Sequence, residues 1–105
     1  MTKYLATWKL NPNASWPKDP KEYQKIIEGL WAGAGMLLKK GELTDWGAFI
    51  NTNEGYAIFE GDPVTCMIGV MMFYPWVLMD PRSALSLEET SKNTQELWEM
   101  RAKMV

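Results

Sequence analysis

Gly55-Tyr56-Ala57-Ile58-Phe59-Glu60-Gly61-Asp62-Pro63 runs from a short strand through a single hinge residue into the start of a helix, with no room for anything else. Asp62 suits a helix N-cap, and Pro63 suits the first helical position, where a missing N–H costs nothing. The segment stands in the middle of a strand–helix–strand–strand–helix–strand order, so its reading decides the architecture.

Upstream, residues 3–10 alternate as a first strand, with Tyr4, Ala6, Trp8 and Leu10 on one face and Lys3, Leu5, Thr7 and Lys9 on the other. A loop rich in Pro and Asn follows over 11–20. Asp19-Pro20 then opens a helix, with Glu22 in the capping-box position. Tyr23, Ile26, Ile27, Leu30, Trp31, Ala34, Leu37 and Leu38 recur at helical spacing. Lys39 and Lys40 favour the negative C-terminal end, and Gly41 stops the helix. Gly29 and Gly33 fall on one border of the apolar stripe, which predicts a close approach there by a neighbouring strand or helix, or by a ligand. Residues 43–52 read as the second strand and 56–60 as the third, with hairpin-loop residues over 51–55.

Downstream, the helix over 63–73 is apolar nearly all round, so it must be covered on more than one side. Pro75 ends it. Residues 77–85 read as a fourth strand, and Pro81 within it removes a ladder donor, which predicts a sheet edge. Ser86 with Glu89 makes a second capping box, opening a last helix on which Leu97, Trp98, Arg101 and Met104 share a face.

Two strand–helix–strand units in tandem predict an α+β, ferredoxin-like sheet of four antiparallel strands in the order 4-1-3-2, with helices on one face. One domain over 1–86 carries it, and 87–105 form a C-terminal helical extension. The first strand is apolar on both faces, as strands covered on both sides are. The expectation is therefore a homodimer in which two copies stack sheet to sheet.

Composition narrows the function classes. The 105 residues carry a net charge of −2 with both signs interspersed, so no basic face for nucleic acid is visible. The longest apolar stretch, 64–78, is interrupted by Pro75 and is no membrane span. No basic-then-apolar leader opens the chain, and a single cysteine, Cys66, excludes an internal disulfide, so a cytoplasmic setting is expected. Asn13-Ala14-Ser15 matches a glycosylation acceptor but reads as accidental loop composition. The absence of histidine removes the commonest general base, metal ligand and haem ligand, and no cofactor or metal is expected. Six tryptophans and eight methionines are more apolar mass than one small core requires, which suggests burial between subunits or around a cavity.

The opening Lys3-Tyr4-Leu5-Ala6-Thr7-Trp8-Lys9-Leu10-Asn11-Pro12, the hinge over 55–63 and the run Trp76-Val77-Leu78-Met79-Asp80-Pro81-Arg82-Ser83-Ala84-Leu85 resemble small members of the dimeric α+β barrel superfamily, nearest to an uncharacterised group of small proteins within it. The resemblance covers roughly residues 3–86. It implies the fold and a cleft between stacked sheets. It does not select a chemistry, because the superfamily includes isomerases, cofactor-free monooxygenases, haem enzymes and ligand-sensing domains. The missing histidine argues against the haem-binding and cyclase roles.

Trp8, Trp46, Tyr56 and Trp76 are the candidate ligand-binding residues, since aromatics suit a planar organic molecule; the alternative is that they fill a core or a subunit interface. Glu60 and Tyr56 are the candidate catalytic residues. Glu60 ends an otherwise buried strand, and burial raises a carboxyl toward values useful for proton transfer; the alternative is pairing with a lysine or a backbone N–H. Asn51 and Asn53 match the side chains that cofactor-free monooxygenases use, although turn formation explains them as well. Asp80, beside Pro81 and Arg82, reads as solvated or paired. Cys66 reads as buried and inert. Three functions follow: a homodimer binding a small apolar or aromatic molecule, a cofactor-independent isomerase or monooxygenase, or a structural or protein-interaction module.

Overall fold

A computed structural model of the chain describes residues 2–50 and 53–104. Its elements are β1 (Thr2–Leu10), α1 (Pro20–Lys40), β2 (Leu43–Ala48), β3 (Glu54–Gly61), α2 (Pro63–Met71), β4 (Val77–Ala84) and α3 (Leu87–Met104). The four strands are antiparallel to their neighbours in the order β2-β3-β1-β4, which read from the β4 edge is 4-1-3-2. β4, with its Pro81, is an edge strand.

The caps form where their residue types direct. The Asp19 carboxylate accepts from the Lys21 N–H at 3.1 Å, and Gly41 ends α1 at φ 81°, a left-handed conformation that favours glycine. The Asp62 carboxylate accepts from the Thr65 N–H at 2.7 Å, with Pro63 in the first turn of α2.

β2 ends earlier than the alternation suggests, at Ala48, and β3 begins earlier, at Glu54; Asn51 and Thr52 lie outside the described residues. Pairing still extends past the end of β2, because the Phe49 N–H donates to the Glu54 carbonyl at 2.8 Å. An irregularity between Leu43 and Asp45 shifts the register, so that Asp45 faces Ile58 and Trp46 faces Ala57. That shift turns Trp46 toward the helices and Asp45 away from them.

The core lies between one sheet face and the two helices α1 and α2. Ala6, Trp8, Leu43, Ala57, Phe59 and Val77 of the sheet meet Leu30, Ala34 and Leu37 of α1, Cys66 of α2 and Phe73 just beyond it. Burying Phe59 alone contributes about 1.5–3 kcal/mol. Gly69 of α2 makes room for it, since a Cβ there would stand 2.6 Å from the Phe59 ring. On α1 the glycine expectation divides. Gly33 touches Phe73, at 3.5 Å from where its Cβ would be, whereas nothing lies within 4 Å of a Cβ on Gly29 or Gly35. Among the described residues the close approach predicted at Gly29 is therefore absent.

α3 stands apart from this core. None of its residues is buried, and only Thr94 is even half-buried. The chain measures 65 × 27 × 25 Å with a radius of gyration of 18.1 Å. A compact chain of this length would have about 13 Å.

Candidate functional site

Alternation along β1 puts Trp8 on the helix side of the sheet, where it is 3% exposed. Its ring stacks on Trp46, with centroids 5.3 Å apart and planes 10° from parallel, and Trp31 of α1 tilts against both at 5.5 and 5.0 Å. The Trp8 Nε1–H donates toward the Gly47 and Tyr56 carbonyls, each at 3.2 Å. Trp76 belongs to a second cluster. It packs on Trp16 at 4.8 Å, and Trp16 packs on Tyr23 at 5.1 Å. Asn11 ties this cluster down, its carbonyl accepting from the Trp16 Nε1–H at 2.7 Å and its side-chain amide donating to the Pro75 carbonyl at 2.9 Å.

Tyr56 lies on the opposite face of the sheet, which α1 and α2 leave open. Its hydroxyl donates to Asp45 Oδ2 at 3.0 Å, and its ring lies over Gly47, where a Cβ would be 2.5 Å from the tyrosine Cε1. The hydrogen bond to Asp45 raises the phenol above its ordinary range, reinforced by desolvation and by the carboxylate's charge. The four candidate aromatics thus do not converge on one cleft within the chain. Trp8 and Trp46 share a cluster, Trp76 joins another, and Tyr56 is alone of the four on the open face.

The open face carries Leu5, Thr7, Tyr56, Ile58, Leu78 and Ala84, flanked by charged side chains. Leu5 is 47% exposed, and Tyr56, Ile58 and Leu78 are half-buried. Phe49 leans toward Tyr56, with ring centroids 6.5 Å apart. A recess of about 460 Å³ opens at this end of the sheet, walled by Phe49, Leu78 and Thr7 with Lys9 and Asp80 among its polar groups. Asp80 also pairs with Arg82 at 3.2 Å, an exposed pair of small energetic weight.

Glu60 lies on the open face as well, at the far end of β3 and half-buried. It helps line a smaller recess of about 240 Å³ together with Lys3 and Glu89. Its backbone N–H donates to the Glu42 carbonyl at 3.0 Å. Asn53 is exposed, and its carbonyl accepts from the Leu10 N–H at 3.0 Å, a loop-closing role. Asn51 lies outside the described residues. Cys66 is buried on the sheet side of α2, and burial pushes its thiol up, away from the reactive thiolate. No group of three or more candidate metal ligands occurs among the described residues, and no described helix is long and apolar enough to cross a membrane.

Sequence reasoning did not single out Phe49 or Leu78. The signal was present in part: Gly47 and Phe49 continue the period of two from Asp45, on the face opposite Trp46. The chain matches no protein-family model and no curated protein.

Proposed function

We propose that the chain is a homodimer that buries the open face of its sheet against a second copy and holds a small apolar or aromatic molecule in the cleft between them. This is the arrangement of the dimeric α+β barrel superfamily that the sequence resembles. The observation that carries the reading is the open face itself: Leu5, Tyr56, Ile58 and Leu78 form an apolar strip on the side away from α1 and α2. Apolar strips of this kind mark contact or ligand surfaces. The recess beside Phe49 and Leu78, about 460 Å³, is of the size that holds small organic ligands. Its apolar walls and the nearby Lys9 and Asp80 favour a molecule with an apolar body and one polar end.

Native mass spectrometry of the protein as purified tests this directly. A dimer carrying a small organic molecule is expected, with the molecule lost on Phe49→Ala or Leu78→Asp substitution. A protein that never carries or takes up such a molecule overturns the ligand half of the proposal.

A cofactor-independent isomerase or monooxygenase is the second reading, and one observation favours it. Glu60 is half-buried on the same face, in a recess that it shares with Lys3 and Glu89. Glu60→Gln keeps ligand affinity and abolishes turnover if that carboxylate moves a proton. If the protein only binds, neither the unsubstituted chain nor Glu60→Gln shows turnover.

A further inference from the structure

α3 is amphipathic. At about 100° per residue, Leu87, Thr94, Leu97, Trp98 and Met104 fall on one side with Arg101, and Glu88, Lys92, Glu96, Glu99 and Lys103 fall on the other. An isolated helix of 18 residues is marginal in water unless its apolar side is packed. Within the chain that side stays largely uncovered: Trp98 is 63% exposed, Thr94 alone is half-buried, and no residue of α3 is buried.

The join to β4 is short. Only Leu85 and Ser86 separate the two elements, and neither is glycine. The Ser86 Oγ accepts from the Glu89 N–H, and Glu89 Oε1 accepts from the Ser86 N–H, each at 3.0 Å. This reciprocal cap fixes the start of α3 two residues after the end of β4.

The same chain offers a surface of the matching kind. α2 contains no charged residue, and its outer side leaves Val64, Met67, Ile68 and Met71 exposed. Between α2 and β4 run two recesses of about 270 and 370 Å³ that share Val70 and Met71, so they form one groove along β4 from Ser83 to Val77. The eight residues of β4 span about 26 Å, and the 18 residues of α3 about 27 Å. A helix laid there would also cover the free edge of β4, one of the ways in which proteins protect sheet edges. Methionine-lined surfaces such as this adapt readily to an incoming side chain.

We infer that α3 is an exchanged arm: in the dimer each copy lays the Leu97–Trp98 side of its α3 into the groove between α2 and β4 of the other copy. Two such dockings related by a two-fold axis close the assembly, because arm and groove are both present in every protomer. The inference rests on the second-copy reading above and assigns a different contact from the sheet-to-sheet one.

Two measurements test it. In the unmodified chain at concentrations where it is dimeric, the α3 amides should exchange hydrogen roughly 100-fold or more below their intrinsic rates, and should lose that protection on dilution to monomer. In a Cys66→Ala background, Met71→Cys on α2 and Leu97→Cys on α3 should join different chains when tagged and untagged protein are mixed and treated with a short bifunctional maleimide. A dimer whose α3 exchanges at intrinsic rates, or whose cross-links stay within one chain, overturns the exchanged arm and leaves the sheet-to-sheet dimer standing. A chain that is monomeric at every concentration overturns both.

Discussion

Gly55 of β3 lies directly across from Trp8 of β1, and the indole occupies the space that a side chain at position 55 would need: a Cβ there would stand 2.5 Å from the Trp8 Cε2 and Cζ2 atoms. The same Cβ would collide with the Gly47 carbonyl oxygen, a backbone atom with little freedom to move. Gly55→Ala should therefore destabilise the fold by about 1–3 kcal/mol through overpacking. Gly29→Ala on α1 should do the reverse, raising stability by about 0.5–1 kcal/mol, because its Cβ meets nothing within 4 Å and helix propensity improves. Urea unfolding of the two variants beside the unmodified protein checks both signs.

Trp8 joins β1, β2 and α1 through one ring. Trp8→Ala should cost about 3–5 kcal/mol, the usual cost of emptying a large aromatic site. Trp8→Phe should cost less, since it keeps most of the stack on Trp46 and loses the Nε1–H bonds to the Gly47 and Tyr56 carbonyls. Thermal unfolding should rank the three proteins in that order.

The Tyr56 hydroxyl titrates above its ordinary value because it donates to Asp45. A group whose folded value is raised contributes stability that is fully present below the unfolded value, about 10, and lost as pH rises through the folded one. Asp45→Asn should bring the phenolate transition back toward the ordinary tyrosine value, read from ultraviolet absorbance of the native protein. An unchanged transition would mean that the hydrogen bond does not persist in solution.

Asp62 and Glu89 behave in the opposite sense. The Thr65 N–H holds the Asp62 carboxyl below its usual range, and the Ser86 N–H does the same for Glu89. Their contribution is present above the ordinary carboxyl values, near 4, and is lost as pH falls through the depressed ones. Asp62→Asn should flatten the acid limb of the stability profile for the whole domain. Glu89→Gln should alter the acid response of α3 helicity and leave the core transition where it was.

Cys66 should react slowly with a thiol reagent in the native protein and fast in denaturant, since burial both blocks access and keeps the thiol protonated. A native rate equal to the denatured one would show that α2 lifts readily from the sheet.

Much of the fold was legible because local chemistry and global order agree. Asp62-Pro63 opens α2, Gly41 closes α1, and Pro81 lies in an edge strand. The site was less legible, for a specific reason. β1 is apolar on both faces, so a period of two separates Trp8 from Leu5 without saying which side the helices take. The irregularity at Leu43/Asp45 then decides where Trp46 points, and a register shift leaves no mark in residue type. Gly55 and Gly47 were the available clue, since each gives its space to a neighbouring ring, Trp8 or Tyr56. For α3, sequence showed the amphipathic pattern and the cap but not the partner, because its apolar side stays largely exposed among the described residues.

Sedimentation equilibrium of the full chain over a wide concentration range bears most directly on the role of a second copy. A mass of twice 12.1 kDa is predicted, with dissociation to 12.1 kDa shifted to higher protein concentration when Leu5→Glu places a charge on the open sheet face. A single species of 12.1 kDa at every concentration, indifferent to that substitution, would contradict it.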